Sequence, residues 1–264
     1  MRNLVLGSKG FIGSYLCDHL ISQGDQVTGI DIKISKFHDL REGKLELDGI
    51  DRVYFLAWDV GGAKYLYRRD TQMQQMENNS KILCNIMPQL IESNIPFLFA
   101  SSRLAQFTDN PYGVAKRMGE IWTLLSKNGI ALRIWNAYGS VEKIDEKSHV
   151  ISDLISKAIT TGVIDLMTDG SEIRKFTHLF DICSAFTYAI SNHKGLYDIL
   201  DDEKWISILD IATIIAKLTG ANIQLGMTKQ NTVGSKEIGR IPGWKNTINL
   251  EDGIRKMVDQ YKGV

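Results

Sequence analysis

The chain has 264 residues, 44% of them apolar and 23% charged, a composition that fits an ordinary globular protein with one large domain or a core domain and an appendage. Its 31 basic and 31 acidic residues cancel, so no broad field draws it to nucleic acid or to anionic lipid. Cys17, Cys84 and Cys183 lack metal-ligand spacing and read as free thiols; with no long apolar run and no signal-like start, a cytoplasmic protein is expected, with no membrane segment and no metal.

In chain order, "NLVLG" (3–7) predicts a buried strand and "FIGSYLCDHLISQG" (11–24) a helix stopped by Gly24. "QVTGID" (26–31) predicts a second strand, a very short third is expected near Lys36–Asp39, and "DRVYFLAW" (51–58) is a clear strand. A long helix follows over 71–93, then a buried strand in "SNIPFLFASS" (93–102). A helix opening at Tyr112 runs into "LLSKNG" (124–129), with Gly129 as its expected stop, before the strand "IALRIW" (130–135). Strands alternating with helices imply right-handed crossovers and a parallel sheet covered on both faces.

After residue 139 the rhythm changes. "SHVISDLISKAITTG" reads as a helix, "VIDLMTDG" as a strand and turn, and "HLFDICSAFTYAISN" as a helix. "GLYDIL" (195–200) is a strand able to rejoin the main sheet, and "SILDIATIIAKLTG" (207–220) is an amphipathic helix. The expected fold is therefore α/β: a Rossmann-type doubly wound parallel sheet over 1–139, to which 175–200 returns. Residues 140–264 are expected to be mostly a small C-terminal α/β lobe that binds substrate.

The run Gly7-Ser8-Lys9-Gly10-Phe11-Ile12-Gly13 lies where the first strand meets the first helix. Gly7 permits a tight turn, Gly10 lets backbone approach a pyrophosphate, and Gly13 allows helix to pack closely on strand; the helix N-terminus then offers free N–H groups to phosphate. The spacing is GxxGxxG, not GxGxxG, and without a ligand it is simply a glycine-rich turn. Asp31, ending the second strand 18 residues after Gly13, suits the adenosine ribose hydroxyls. Its charge would repel a 2′-phosphate, which favours NAD over NADP, while nearby Lys33 weakens the preference.

In "DNPYGVAK", Tyr112 and Lys116 are four apart, so on a helix they share one face. A phenol of pKa about 10 is a poor base, and a neighbouring ammonium lowers it. Ser102 ends the preceding strand, where parallel sheets place ligand-facing residues. A capping serine and a half-buried tyrosine would explain the same residues without chemistry.

With these parts in order, the chain resembles the extended short-chain dehydrogenase/reductase family, in its nucleotide-sugar epimerase/dehydratase branch. The similarity rests on the glycine loop, Asp31, "YFLAW" (in the place of a family HLAA), "MENNSKILCNIM", "FASS", "PYGVAK", "LRIWNAYG", "GSEIRKFTHLFDICSAF" and "WKNTINLEDGIRKMV". It implies a Ser102–Tyr112–Lys116 triad, with Lys116 also on the nicotinamide ribose, and Asn136 and Arg174 on the nucleotide-sugar. It extends the cofactor set to Phe11, Ile12, Ile32, Asp39, Leu40, Leu56 and Ala57. It also implies a homodimer through the helices near 71–93 and 112–127, with Ile121, Leu124 and Leu125 available for that contact or for an internal core.

Within the branch, dehydratases follow the active-site Ser or Thr with Asp-Glu; here Arg103-Leu104 follow Ser102, so dehydration is not expected. "WDVGGA" (58–63) and "KSHVISDLI" (147–155) resemble the GDP-fucose synthase and GDP-mannose epimerase group, which makes His149 an acid or a substrate contact. The cysteine that completes double epimerisation there falls at Leu104. A helix cap or surface residue is the plain alternative for His149. The resemblance thus implies an NAD-dependent epimerase of a GDP- or UDP-sugar, oxidising and returning hydride at C4, with Tyr112 as acid/base. The alternative is a GDP-4-keto-sugar reductase or dehydrogenase with the same triad, and a third reading is a non-catalytic NAD(P)-binding protein. The lobe is shorter than the family's after Gly139 and near 226–243, as suits a smaller or more exposed substrate.

Overall fold

A computed structural model of the chain describes residues 1–107, 109–145, 147–200, 205–229, 234 and 236–263. The first half runs β1 (Arg2–Leu6), α1 (Phe11–Ser22), β2 (Gln26–Ile30), β3 (Arg52–Phe55), α2 (Ala63–Leu66), α3 (Arg69–Ser93), β4 (Phe97–Ser102), α4 (Pro111–Leu125), β5 (Gly129–Ile134) and β6 (Ala137–Tyr138). Then follow α5 (Val150–Thr161), β7 (Val163–Asp165), β8 (Ile173–Arg174), β9 (Thr177–His178), α6 (Leu179–Asn192) and β10 (Gly195–Ile199). The chain closes with β11 (Ile206–Ser207), α7 (Ile208–Thr219), β12 (Asn222–Gln224) and α8 (Leu250–Lys262).

Six of the strands form one parallel sheet in the order β10-β5-β4-β3-β1-β2. The chain leaves β1 for β2 on one side and returns to β3 on the other, so a crevice opens at the C-terminal ends of β1 and β3. Every residue of β4 and β5 is buried, as a strand covered on both faces requires. On one face Val5, Tyr54 and Leu98 meet Leu16 and Leu20 of α1 and Ile182 and Phe186 of α6. On the other, Leu6, Phe55 and Phe99 meet Leu83, Met87 and Leu90 of α3. A third cluster joins α5, α7 and α8 through Ile155, Ile211, Ile215, Ile254 and Met257 beside the β7–β12 pair.

Two local expectations are corrected. Residues 36–38 form a short 3-10 turn, not a strand: Ser35 Oγ accepts from Phe37 N–H at 3.2 Å, and β2 remains the edge of the sheet. Gly129 is not the stop of α4. The helix ends at Leu125, and Gly129 opens β5, where a Cβ would meet Phe97 Cζ at 2.5 Å. Within the stretch 226–243, residues 230–233 and 235 lie outside the described residues. Met73 and Met76 of α3 and Ile121, Leu124 and Leu125 of α4 are exposed. Among the described residues no helix is long and apolar enough to cross a membrane.

Candidate active site

The glycine loop crosses the crevice between β1 and β3. Gly7 takes φ +89°, its N–H donates to Ile30 O at 2.8 Å, and a Cβ there would lie 2.6 Å from Ala57 N. A Cβ on Gly13 would fall 2.0 Å from Gly7 O, so only glycine lets α1 start this close to the turn. Gly10 caps α1 and has no side chain to occupy the first-turn N–H groups, so they stay open to an anion.

Asp31, just beyond β2, is nearly buried; it accepts from Lys9 N–H at 2.9 Å and Lys33 N–H at 2.8 Å. Lys33 Nζ turns back to Lys9 O at 3.2 Å. A glycine-lined turn at a helix N-terminus, with a carboxylate at the end of the neighbouring strand, fits a dinucleotide. Leu56 and Ala57 follow β3 beside Gly7, and Ile32 is exposed. The Asp39 carboxylate is bound by Arg41, Nη2 to Oδ2 at 2.6 Å, and Leu40 is buried against Leu83 in the core under α3.

Ser102, Tyr112 and Lys116 are brought together by α4 lying flush on its surroundings. Asn110 Oδ1 caps the helix by accepting from Gly113 N–H at 3.0 Å, with Pro111 in the first turn. A Cβ on Gly113 would be 2.2 Å from Leu104 O, and one on Gly119 2.3 Å from Phe99 Cζ. These two absences let the helix press onto β4 and onto the turn Arg103–Gln106, placing Tyr112 against Ser102. Ser102 Oγ accepts from Leu104 N–H at 3.2 Å.

Burial pushes the Tyr112 hydroxyl up to about 12, with a hydrogen bond involving the Ser102 side chain acting in the opposite sense. Burial holds the Lys116 ammonium down at about 7, against the charge of Glu120. Lys116 Nζ donates to Ala100 O at 2.5 Å and lies 3.9 Å from the Trp58 ring centroid, 4.9 Å from that of Phe99 and 5.8 Å from that of Tyr112. Trp58 was missed in the sequence. Its signal was available, because it stands three residues past the end of β3 on the ligand side of a parallel sheet.

Beyond Ser102, Arg103 lies 6.0 Å from the Trp135 ring centroid, and burial together with the charge of Arg174 holds it below the usual guanidinium range. Asn136 donates to Lys175 O at 2.7 Å and accepts from Thr177 N–H at 2.9 Å, so it shapes the β8–β9 link behind Arg174. His149 stacks on Phe11 of the glycine loop, centroids 4.3 Å apart and planes 24° from parallel. Its Nδ1 is 2.9 Å from Glu142 Oε1, and its N–H donates to Glu142 Oε2 at 3.1 Å. Just before it, Lys147 O accepts from Gly62 N–H at 2.8 Å and Lys147 Nζ lies 3.5 Å from Asp59 Oδ1. The structure thus gathers Ser102, Tyr112 and Lys116 and puts His149 against the glycine loop.

Known proteins share this architecture. A dTDP-4-dehydro-6-deoxy-D-allose reductase of Streptomyces sp is 22% identical over 280 residues, covering 88% of this chain and 85% of that protein. The structure of a GDP-6-OMe-4-keto-L-xylo-heptose reductase from C. jejuni superposes with TM-score 0.83 at 17% identity, over 99% of this chain and 97% of that one. That of TunA, an NAD-dependent NDP-hexosamine 5,6-dehydratase, superposes with TM-score 0.80 at 19% identity, over 100% and 98% of the two chains. The profile of the NAD dependent epimerase/dehydratase family matches residues 3–199, the span from β1 through β10 that contains the glycine loop, Ser102, Tyr112 and Lys116, and the chain belongs to that family.

Proposed function

We propose that this chain transfers hydride at C4 of a nucleotide-linked sugar, and that it acts as a reductase of a GDP- or UDP-linked 4-keto sugar. The observation that carries the reading is the placement of Tyr112, in the first turn of α4, beside Ser102 at the end of β4, where burial favours the neutral phenol. A protonated phenol is the group a ketone oxygen needs as it becomes a hydroxyl. NAD(H), when bound, supplies or accepts the hydride. Ser102 Oγ orients the sugar oxygen, Tyr112 gives it the proton, and the Lys116 ammonium stabilises the tyrosinate that remains. The first-turn N–H groups of α1 would hold the pyrophosphate and Asp31 the adenosine ribose, which disfavours a 2′-phosphate. Substrate would lie between the C-terminal edge of the sheet and the lobe 140–264, with Arg174 on the diphosphate. Arg103 and Leu104 supply no base to draw a proton from the sugar ring, so elimination of water is not part of the reading.

An epimerase using the same triad is the second reading. It is favoured by Lys147 and His149, which contact Gly62 and Phe11 and would delay dinucleotide release. Retained NAD would then return hydride to the sugar it came from. One assay separates the two: GDP- and UDP-4-keto sugars are supplied with NADH or NADPH, and the corresponding sugars without added cofactor. Oxidation of NADH matched to keto-sugar consumed supports the reductase. Interconversion of C4 epimers with no net cofactor use supports the epimerase. Preference for NADPH would overturn the reading of Asp31, and loss of water from the sugar would overturn both.

The exposed apolar side chains Met73, Met76, Ile121, Leu124 and Leu125 on α3 and α4 support a homodimer across these helices. Sedimentation equilibrium is expected to return twice the chain mass. A monomer at tens of micromolar would remove that proposal.

A further inference from the structure

We infer that Trp58 is the seat of the Lys116 ammonium: a positioning residue whose indole face holds the cation where it acts on Tyr112. The inference rests on the reading of Lys116 as a triad member, but its test observes Lys116 directly and does not depend on the reaction.

The geometry is specific. Lys116 Nζ lies 3.9 Å from the Trp58 centroid, nearer than to Phe99 at 4.9 Å or Tyr112 at 5.8 Å. The indole is itself fixed by aromatic contacts, 5.6 Å from Phe99 and 6.2 Å from Phe55 between centroids. An ammonium has three N–H donors. One goes to Ala100 O at 2.5 Å, and the indole face takes a second direction, which leaves the third for an oxygen of a bound ligand.

The other groups around Lys116 do not replace this contact. On α4 these are Tyr112 and Glu120, and on β4 the Ala100 carbonyl, the Phe99 ring and the hydroxyls of Ser101 and Ser102. From β5 comes Arg133, whose charge is tied to Glu120. The Glu120 carboxylate accepts from Ser101 at 2.6 Å, Arg133 at 2.6 and 2.8 Å and Arg117 at 2.9 Å, and it acts on Lys116 through its charge. Lys116 is almost fully buried, and a buried ammonium without compensation loses its proton. An aromatic face at this distance favours the charged form without taking a hydrogen bond from it. The Trp58 indole N–H is also buried, with no acceptor among the described residues.

The test is NMR of protein carrying 13C in its lysine side chains, with Lys116 assigned by the signal lost in Lys116→Met. In the unaltered protein the Lys116 Hε protons are expected well upfield of the usual lysine position, shifted by the indole ring current. Trp58→Leu keeps apolar bulk without a π face. It is expected to cut that shift to the smaller part due to Phe99 and Tyr112 and to lower the Lys116 titration midpoint by about half to one pH unit. Trp58→Phe keeps a weaker ring and is expected to fall between. An unshifted midpoint in Trp58→Leu overturns the inference. So do ordinary Lys116 Hε positions in the unaltered protein, a result that does not need Trp58→Leu to fold.

Discussion

Replacing Tyr112 with phenylalanine is expected to lower kcat by about 10²–10⁴-fold, the range that loss of a positioned acid/base costs. The change removes one oxygen and leaves the ring in place. Tyr112 is nearly buried, and its ring stands 5.8 Å from Lys116 Nζ, so the packing of α4 on β4 should survive. What disappears is the phenolic proton beside Ser102, and neither Arg103 nor Leu104 can supply it. Because the lost interaction forms as the proton moves, the effect should fall on kcat and leave KM and dinucleotide affinity within a few-fold. Steady-state kinetics with the substrate found above, with NAD affinity measured separately, checks this. Activity within tenfold of the unaltered protein would remove Tyr112 from the role of acid.

The parts of this site that were legible in the sequence are those built from neighbours along the chain. The glycine loop, the acid that closes β2, the serine that closes β4 and the Tyr–Lys pair of α4 each depend on a local spacing. The alternation of strands and helices then fixes which ends of the strands face the crevice. Contacts between segments were not legible. The seating of Trp58 on Lys116 needs the end of β3 and the second turn of α4 in one place. The His149–Phe11 stack needs the start of α5 to return to the glycine loop. Gly129 misled for a related reason: after a helical run, glycine signals a stop, but here it is required by the ring of Phe97 on the adjacent strand. Likewise the residues near Lys36 have no strand beyond β2 to pair with, which composition alone does not reveal.

Glu120→Ala is expected to be among the most destabilising single changes in the chain, by about 3–5 kcal/mol, because it strands a buried guanidinium. Glu120 is fully buried and Arg133 nearly so, and the pair is bidentate at 2.6 and 2.8 Å. Burial alone would raise the Glu120 carboxyl, but hydrogen bonds from Arg133, Ser101 and Arg117 hold it below the usual range. A depressed folded-state pKa means the stabilisation is present above the unfolded value and is lost as pH falls through the folded one. Urea titrations should therefore show the gap between Glu120→Ala and the unaltered protein at full size at neutral pH and closing in acid. A gap that stays constant with pH would place the effect in packing and not in the ion pair. Arg133 Nη1 is buried with no partner among the described residues, so even the intact network is incompletely satisfied. A paired apolar replacement, Glu120→Leu with Arg133→Met, is accordingly expected to recover most of the lost stability. It should not recover activity to the same degree, because Glu120 also bonds Ser101, the residue next to Ser102, and lies one turn beyond Lys116 on α4. Stability regained with kcat still low would show that this ion pair serves to set the triad. Both regained together would show that it is a replaceable part of the core.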